Sequence, residues 1–94
     1  MNGSTQYQEA NLSQSDVLES DILVLWLIND DYNTFDFVID VLMELCHHTY
    51  EQACQCAMIT HTTGKCDVYR SYYEELKAIA DKMLNLGLTV EITH

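Results

Sequence analysis

Seven consecutive apolar residues, Ile22 to Ile28, end abruptly at an amide and two carboxylates, Asn29, Asp30 and Asp31. A run of that length is far too short to span a bilayer. It is bounded by polar residues on both sides, as expected of a strand covered on at least one face. Buried strands end at the surface, so the three polar side chains are expected on a rigid rim rather than in a loose loop. Helical spacing then resumes, with Phe37, Val38, Val41, Leu42 and Leu45 forming one apolar stripe. A helix must therefore fold back near the strand that precedes it, with the polar cluster at the junction.

Capping residues divide the remainder. Asn33, with Asp36 three positions on, reads as the N-cap of the first helix in a shortened capping box. Thr49 and Gln52 form a second box, opening a helix through Ala53, Ala57 and Met58 towards His61, and Gly64 ends it as a left-handed residue. Cys66 to Arg70 reads as a short exposed strand with Val68 pointing inward. Ser71 and Glu74 make a third box for a helix carrying Leu76, Ile79, Ala80, Met83 and Leu84, stopped by Gly87. Leu88 to Ile92 alternates at period two, the mark of a last strand. The chain has no proline, so glycines and caps must make every break. The fold class expected is α+β: a single small domain, three helices packed on one face of a three-stranded antiparallel sheet, in the order β-α-α-β-α-β. Residues 1–20, polar and without sustained period, are expected to form a flexible N-terminal extension, and residues 21–94 the folded domain.

Charge narrows the partners. Fifteen acidic residues against four basic ones give a formal net charge of −11. Nucleic acid and anionic membrane surfaces both require clustered Lys and Arg, so neither is expected as a partner. No basic, hydrophobic segment opens the sequence, and four cysteines without an export signal are expected to be free thiols, which points to the cytoplasm.

Metal chemistry fits poorly. A calcium loop starting at Asp31 would need Gly and Glu where Asp36 and Leu42 stand. Cys54 and Cys56 are one residue apart on a helix and diverge, so no zinc site is expected, and no cofactor. Cys66 and His61 could be imagined as a nucleophile and base, without any supporting signature. What remains is a carboxylate, an amide and the His61 imidazole beside an apolar cleft. That set suits a cation attached to a hydrophobic group.

Asn29-Asp30-Asp31-Tyr32, then Phe37-Val38-Ile39-Asp40-Val41-Leu42, then His61 with Gly64-Lys65 three and four positions later, resembles the ClpS family from about Val24 to Ile92. Those proteins are adaptors, not enzymes. They bind free N-termini whose first residue is Leu, Phe, Tyr or Trp and deliver the proteins bearing them to a Clp AAA+ unfoldase. The resemblance implies α-amine contacts at Asn29, Asp30 and His61, with Asp31 and Asn33 on the rim. It implies an apolar pocket of Phe35, Val38, Ala57, Thr60 and Leu86, and contact of Lys77 and Tyr72 with the N-terminal domain of the unfoldase. It also implies a monomer whose mobile N-terminal extension helps to hand over substrate. The family usually has Thr-Pro where this chain has Asn33-Thr34, and a methionine where it has Phe35. A larger methionine and a valine usually stand at Ala57 and Thr60, and an acid is frequent at Tyr72. Two other readings stay open: the same fold as an interaction module without N-degron binding, and a metal- or thiol-responsive small protein.

Overall fold

The computed structural model describes residues 7–8 and 17–94. Its elements are β1 (Tyr7–Gln8), β2 (Ile22–Ile28), α1 (Phe35–Leu45), α2 (Tyr50–Thr63), β3 (Lys65–Tyr72), α3 (Tyr73–Asn85) and β4 (Thr89–Thr93). β2 lies between β3 and β4 and is antiparallel to both, which is the three-stranded sheet and the β-α-α-β-α-β order expected. One strand was not foreseen: β1 adds to the outer edge of β4, in parallel, with Tyr7 opposite Val90 and Gln8 opposite Glu91. The sheet of the described residues thus runs β1-β4-β2-β3. Most of the expected flexible extension lies outside the described residues. Its described end makes a turn, in which the Leu18 N–H donates to Asp21 Oδ2 and the Asp21 N–H to the Leu18 carbonyl.

Strand alternation assigns the two faces of β2. Leu23, Leu25 and Leu27 are almost fully buried and join one cluster with Ile39, Val41 and Leu42 of α1, Ala53 and Ala57 of α2, and Leu76, Ala80 and Met83 of α3. All three helices therefore share one face of the sheet. On the other face the Trp26 ring is held by its neighbours. Its Nε1–H donates to Thr93 Oγ1 at 2.8 Å, and Lys65 Nζ sits 4.5 Å from a ring centroid of the indole. Lys65 also reaches Glu91 on β4 at 3.8 Å.

Two of the three capping expectations change in ways that matter for the site. α1 is capped by Thr34, not Asn33: Thr34 has an extended backbone, and its Oγ1 accepts from the Phe37 N–H at 3.1 Å. Asn33 is engaged elsewhere. The Thr49–Gln52 box is present in full at the start of α2, and Gly64 closes that helix at φ +104°. The Ser71–Glu74 box is absent, because β3 runs on to Tyr72 and pairs Ser71 with Leu23. Ser71 hydrogen-bonds Glu75 instead, and α3 starts at Tyr73 without a side-chain cap. β3 is accordingly longer than the Cys66–Arg70 expected. Its register shifts opposite Leu25 and Trp26, a bulge at Val68, and Cys66, Val68 and Ser71 are all buried. No helix of the described residues is long and apolar enough to cross a membrane.

Candidate functional site

The C-terminal end of β2 is where the chain returns twice. β3 begins beside it, with Lys65 opposite Ile28, and β4 begins on its other side, with Thr89 opposite Ile28. Each of these strands follows a helix, and each junction is made by a glycine with positive φ, Gly64 at +104° and Gly87 at +91°. A left-handed residue reverses the chain within one step, which side chains with a Cβ resist. At Gly87 the reversal is a Schellman arrangement: the Leu88 N–H donates to the Met83 carbonyl and the Gly87 N–H to the Leu84 carbonyl.

Both glycines also present a carbonyl to the polar rim. The Asn29 N–H donates to the Gly64 carbonyl at 2.8 Å. The Asn33 Nδ2–H donates to the Gly87 carbonyl at 3.0 Å and, with its other proton, to Asp30 Oδ2 at 2.9 Å. Asp30 Oδ1 accepts from the N–H groups of Tyr32 and Asn33 at 2.9 and 3.0 Å, an Asx turn. Three N–H groups thus hold one half-buried carboxylate, which has about four acceptor positions. The ion pairs of Lys65, Arg70 and Lys77 go to Glu91, Asp67 and Asp81, so the rim charge is not neutralised by them.

Beside this rim lies a shallow cleft open to solvent. Asn29, Asp30 and Asn33 form its polar side, Phe35 and Val38 of α1 and Ala57 and Thr60 of α2 its apolar walls. Six of the residues expected from sequence to hold a guest, Asn29, Asp30, Phe35, Val38, Ala57 and Thr60, therefore meet in one place, with Asn33 among them. His61 does not line the cleft itself. Its exposed ring packs edge-on against Phe35, with centroids 5.4 Å apart and planes at 83°. Asp31 is exposed and Leu86 is 47% exposed, and neither lines the cleft. The leucine that does is Leu88, fully buried, together with Leu27 and Ile28 of β2. Leu88 was read from sequence only as a strand residue, and the Schellman turn that aims it is the signal that would have singled it out. Thr60 is buried, and its hydroxyl donates to the Cys56 carbonyl at 2.7 Å, so its proton is committed to its own helix.

The thiols stand apart from this chemistry. All four cysteines are free. Burial pushes the Cys46 thiol up to about 12, and burial together with the neighbouring Cys56 thiol does the same to Cys66. Such thiols stay protonated at neutral pH, whereas nucleophiles and metal ligands need the thiolate. Among the described residues no three His, Cys, Asp or Glu side chains gather closely enough for a metal ion. Tyr72 and Lys77 lie away from the cleft: Tyr72 pairs with Ile22 at the opposite end of β2, and Lys77, one turn into α3, donates to Asp81 at 3.1 Å.

Comparison with known proteins agrees with this fold. Residues 19–91 match the family model described as ATP-dependent Clp protease adaptor protein ClpS. A Clp protease adapter protein of Campylobacter jejuni is 37% identical over 87 residues, covering 86% of this chain and 91% of its own. Another from Nitratidesulfovibrio vulgaris is 35% identical over 74 residues, 77% of this chain and 71% of its own. One from Sodalis glossinidius is 42% identical over 55 residues, 56% of this chain and 52% of its own. Among solved structures, Agrobacterium tumefaciens ClpS2 bound to L-phenylalaninamide superposes with a TM-score of 0.74. That match has 22% sequence identity and covers 78% of this chain and 95% of the other, so it speaks for the fold. With a family match over most of its length and relatives above a third identical, the chain belongs to the ClpS family of ATP-dependent Clp protease adaptor proteins.

Proposed function

We propose that this chain captures proteins by a free N-terminus with a large hydrophobic first residue and delivers them to a Clp AAA+ unfoldase, acting as a monomer in the cytoplasm. The observation that carries the reading is one cleft with an anionic, amide-bearing rim against apolar walls. An α-ammonium has three N–H donors and a positive charge, and Asn29, Asp30 and His61 supply acceptors for it, with the exposed Asp31 carboxylate adding charge nearby. The first side chain then enters between α1 and α2, against Phe35, Val38, Ala57, Thr60 and Leu88. L-phenylalaninamide, the compound bound by the Agrobacterium protein, joins these same two features: a free α-amine and a large apolar side chain.

Magnitudes explain why both halves are needed. A hydrogen bond to a charged group contributes about 1.5–3 kcal/mol, and burying a Leu or Phe side chain roughly 1.5–3 kcal/mol. Against the cost of association, their sum supports affinity on the order of micromolar, about −8 kcal/mol. An internal Leu has no ammonium, and a polar first residue has no side chain to bury, so neither competes.

Delivery needs a second surface that peptide does not cover. Tyr72 and Ile22, both more than half exposed, form a cross-strand pair at the far end of β2. Seven residues of strand separate them from the rim by about 20 Å. An unfoldase domain held by Tyr72 and Lys77 would leave the cleft open. Titrating fluorescent Phe-first peptides with free and acetylated amines tests the first half of the reading. Affinity near micromolar for the free amine and at least ~100-fold weaker for the acetylated one is expected, and equal affinities would sink it. Accelerated degradation of a Phe-first reporter by a reconstituted Clp protease tests the second half.

A further inference from the structure

We infer that Asn33 is a positioning residue of the amine site, the member that locks the rim carboxylate to the turn feeding Leu88 into the pocket. The inference rests on the amine-binding reading above and assigns the role by geometry. Asn33 Nδ2 carries two protons, and both are used on different parts of the chain. One goes to Asp30 Oδ2 at 2.9 Å, three residues away, and the other to the Gly87 carbonyl at 3.0 Å, 54 residues away. Its backbone N–H meets the other oxygen of the same carboxylate at 3.0 Å. Asn33 therefore grips Asp30 at both oxygens and ties it to the residue that precedes Leu88.

The residue type suits that task in a way its alternatives do not. An amide nitrogen offers two donors in a fixed plane, so it serves two acceptors at once. A hydroxyl has one proton and would leave either Asp30 or Gly87 without its partner. A Lys or Arg could donate to both, but its charge would cancel the negative charge that attracts an ammonium. The neutral amide orients Asp30 without neutralising it. It also explains why Asn33 does not cap α1: its side chain is held away from the helix, and Thr34 takes that place. The amine rim and the hydrophobic floor are thus one mechanical unit, so first-residue side chain and α-ammonium are read in a fixed relation.

The test compares wild type with Asn33→Ala, using Phe-first peptides with free and acetylated amines and thermal melting of each protein. Positioning predicts that Asn33→Ala loses about tenfold more affinity for the free amine than for the acetylated peptide, so the selectivity ratio falls about tenfold. A purely structural role would weaken both peptides together, and that result, or a free-amine affinity within twofold of wild type, overturns the inference. Wild type without preference for the free amine would instead remove the amine-binding reading and this inference with it. Side-chain amide hydrogen exchange of Asn33 in the wild type keeps the test open if the variant does not fold. Slow exchange of both Nδ2 protons supports the double bond, and exchange as fast as in an exposed asparagine overturns it.

Discussion

Asp30 carries two duties that its neighbours divide differently. Its carboxylate organises the rim by accepting three N–H groups, and in the proposed reading it would also supply charge for the guest. Asp31, exposed and next to it, can supply charge alone. Replacing Asp30 with Ala should therefore remove both, lowering free-amine affinity by roughly 2 kcal/mol or more, about 30-fold; the half-exposed position keeps this below the cost of breaking a fully buried pair. Asp31→Ala should cost less and leave the rim ordered. Anisotropy and circular dichroism on both variants decide the matter: a larger loss for Asp31→Ala would make Asp31 the ammonium's acceptor and Asp30 only its brace. Phe35 sets a second residue-scale expectation. It stands at the first position of α1, in T-shaped contact with the His61 ring, and aromatic pairs gain about 0.5–1.5 kcal/mol beyond burial. Phe- and Tyr-first peptides should bind at least as well as Leu-first ones, and Ile- or Val-first peptides, branched where Phe35 is broad, about tenfold more weakly. A Phe35→Ala variant that still rejects Ile would show that another wall does the sorting.

At the scale of elements, the two left-handed glycines join secondary structure to site. A Cβ at Gly64 meets no atom within 4 Å, so the cost of Gly64→Ala is conformational alone, about 1–2 kcal/mol for a side chain held at that φ. Because the Gly64 carbonyl receives the Asn29 N–H, peptide affinity should fall along with stability. Urea denaturation and peptide titration of one variant read both; a stability loss with unchanged affinity would uncouple Asn29 from the turn. Burial gives another test at the end of α1. Cys46 is raised in the folded state from 9.0 to about 12, so its neutral form is favoured by folding. That contribution is fully present below about pH 9 and is lost as pH rises towards 12, at up to roughly 1.4 kcal/mol per pH unit. Between pH 8 and pH 10 the native protein should lose about 1.4 kcal/mol more than a Cys46→Ala variant does. An identical pH slope in the two proteins would remove burial of this thiol as the cause. These elements also show what sequence could reveal. The run Ile22 to Ile28, the Thr49–Gln52 box and both glycine stops are local signals, and they appear where their chemistry puts them. Asn33 and Ser71 looked like caps just as plainly, and are not. Asn33 is claimed by a carbonyl 54 residues away and Ser71 by strand pairing with Leu23, long-range contacts that no local pattern contains. The polar rim was legible for the same reason, being contiguous in sequence. Leu88 was not, because only the return of α3 brings it beneath the cleft.

Viewed as a whole, the molecule separates three surface features along β2: a cleft at one end, an exposed Ile22–Tyr72 pair at the other, and a sheet edge at β4 that receives β1. This layout predicts the effect of deleting residues 1–16. The deletion removes the pairing of Tyr7–Gln8 with Val90–Glu91, a two-residue ladder on the far side of β4 from β2. The core cluster is drawn from β2, β3, β4 and the three helices, so the domain should still fold. Losing so short a ladder should cost about 1 kcal/mol, since a typical hydrogen bond contributes a net 0.5–1.5 kcal/mol. The lining of the cleft among the described residues runs from Leu27 to Leu88, so affinity for a Phe-first peptide should stay within twofold of the full chain. Delivery should suffer instead: if the extension helps to hand substrate over, the truncated protein will bind a Phe-first reporter yet fail to accelerate its degradation by a reconstituted Clp protease. Adding the truncated form in excess should then slow degradation supported by the full chain, because it occupies the same N-termini without passing them on. Loss of peptide affinity on truncation would place the extension in the binding site, and undiminished degradation would leave handover to the folded domain alone.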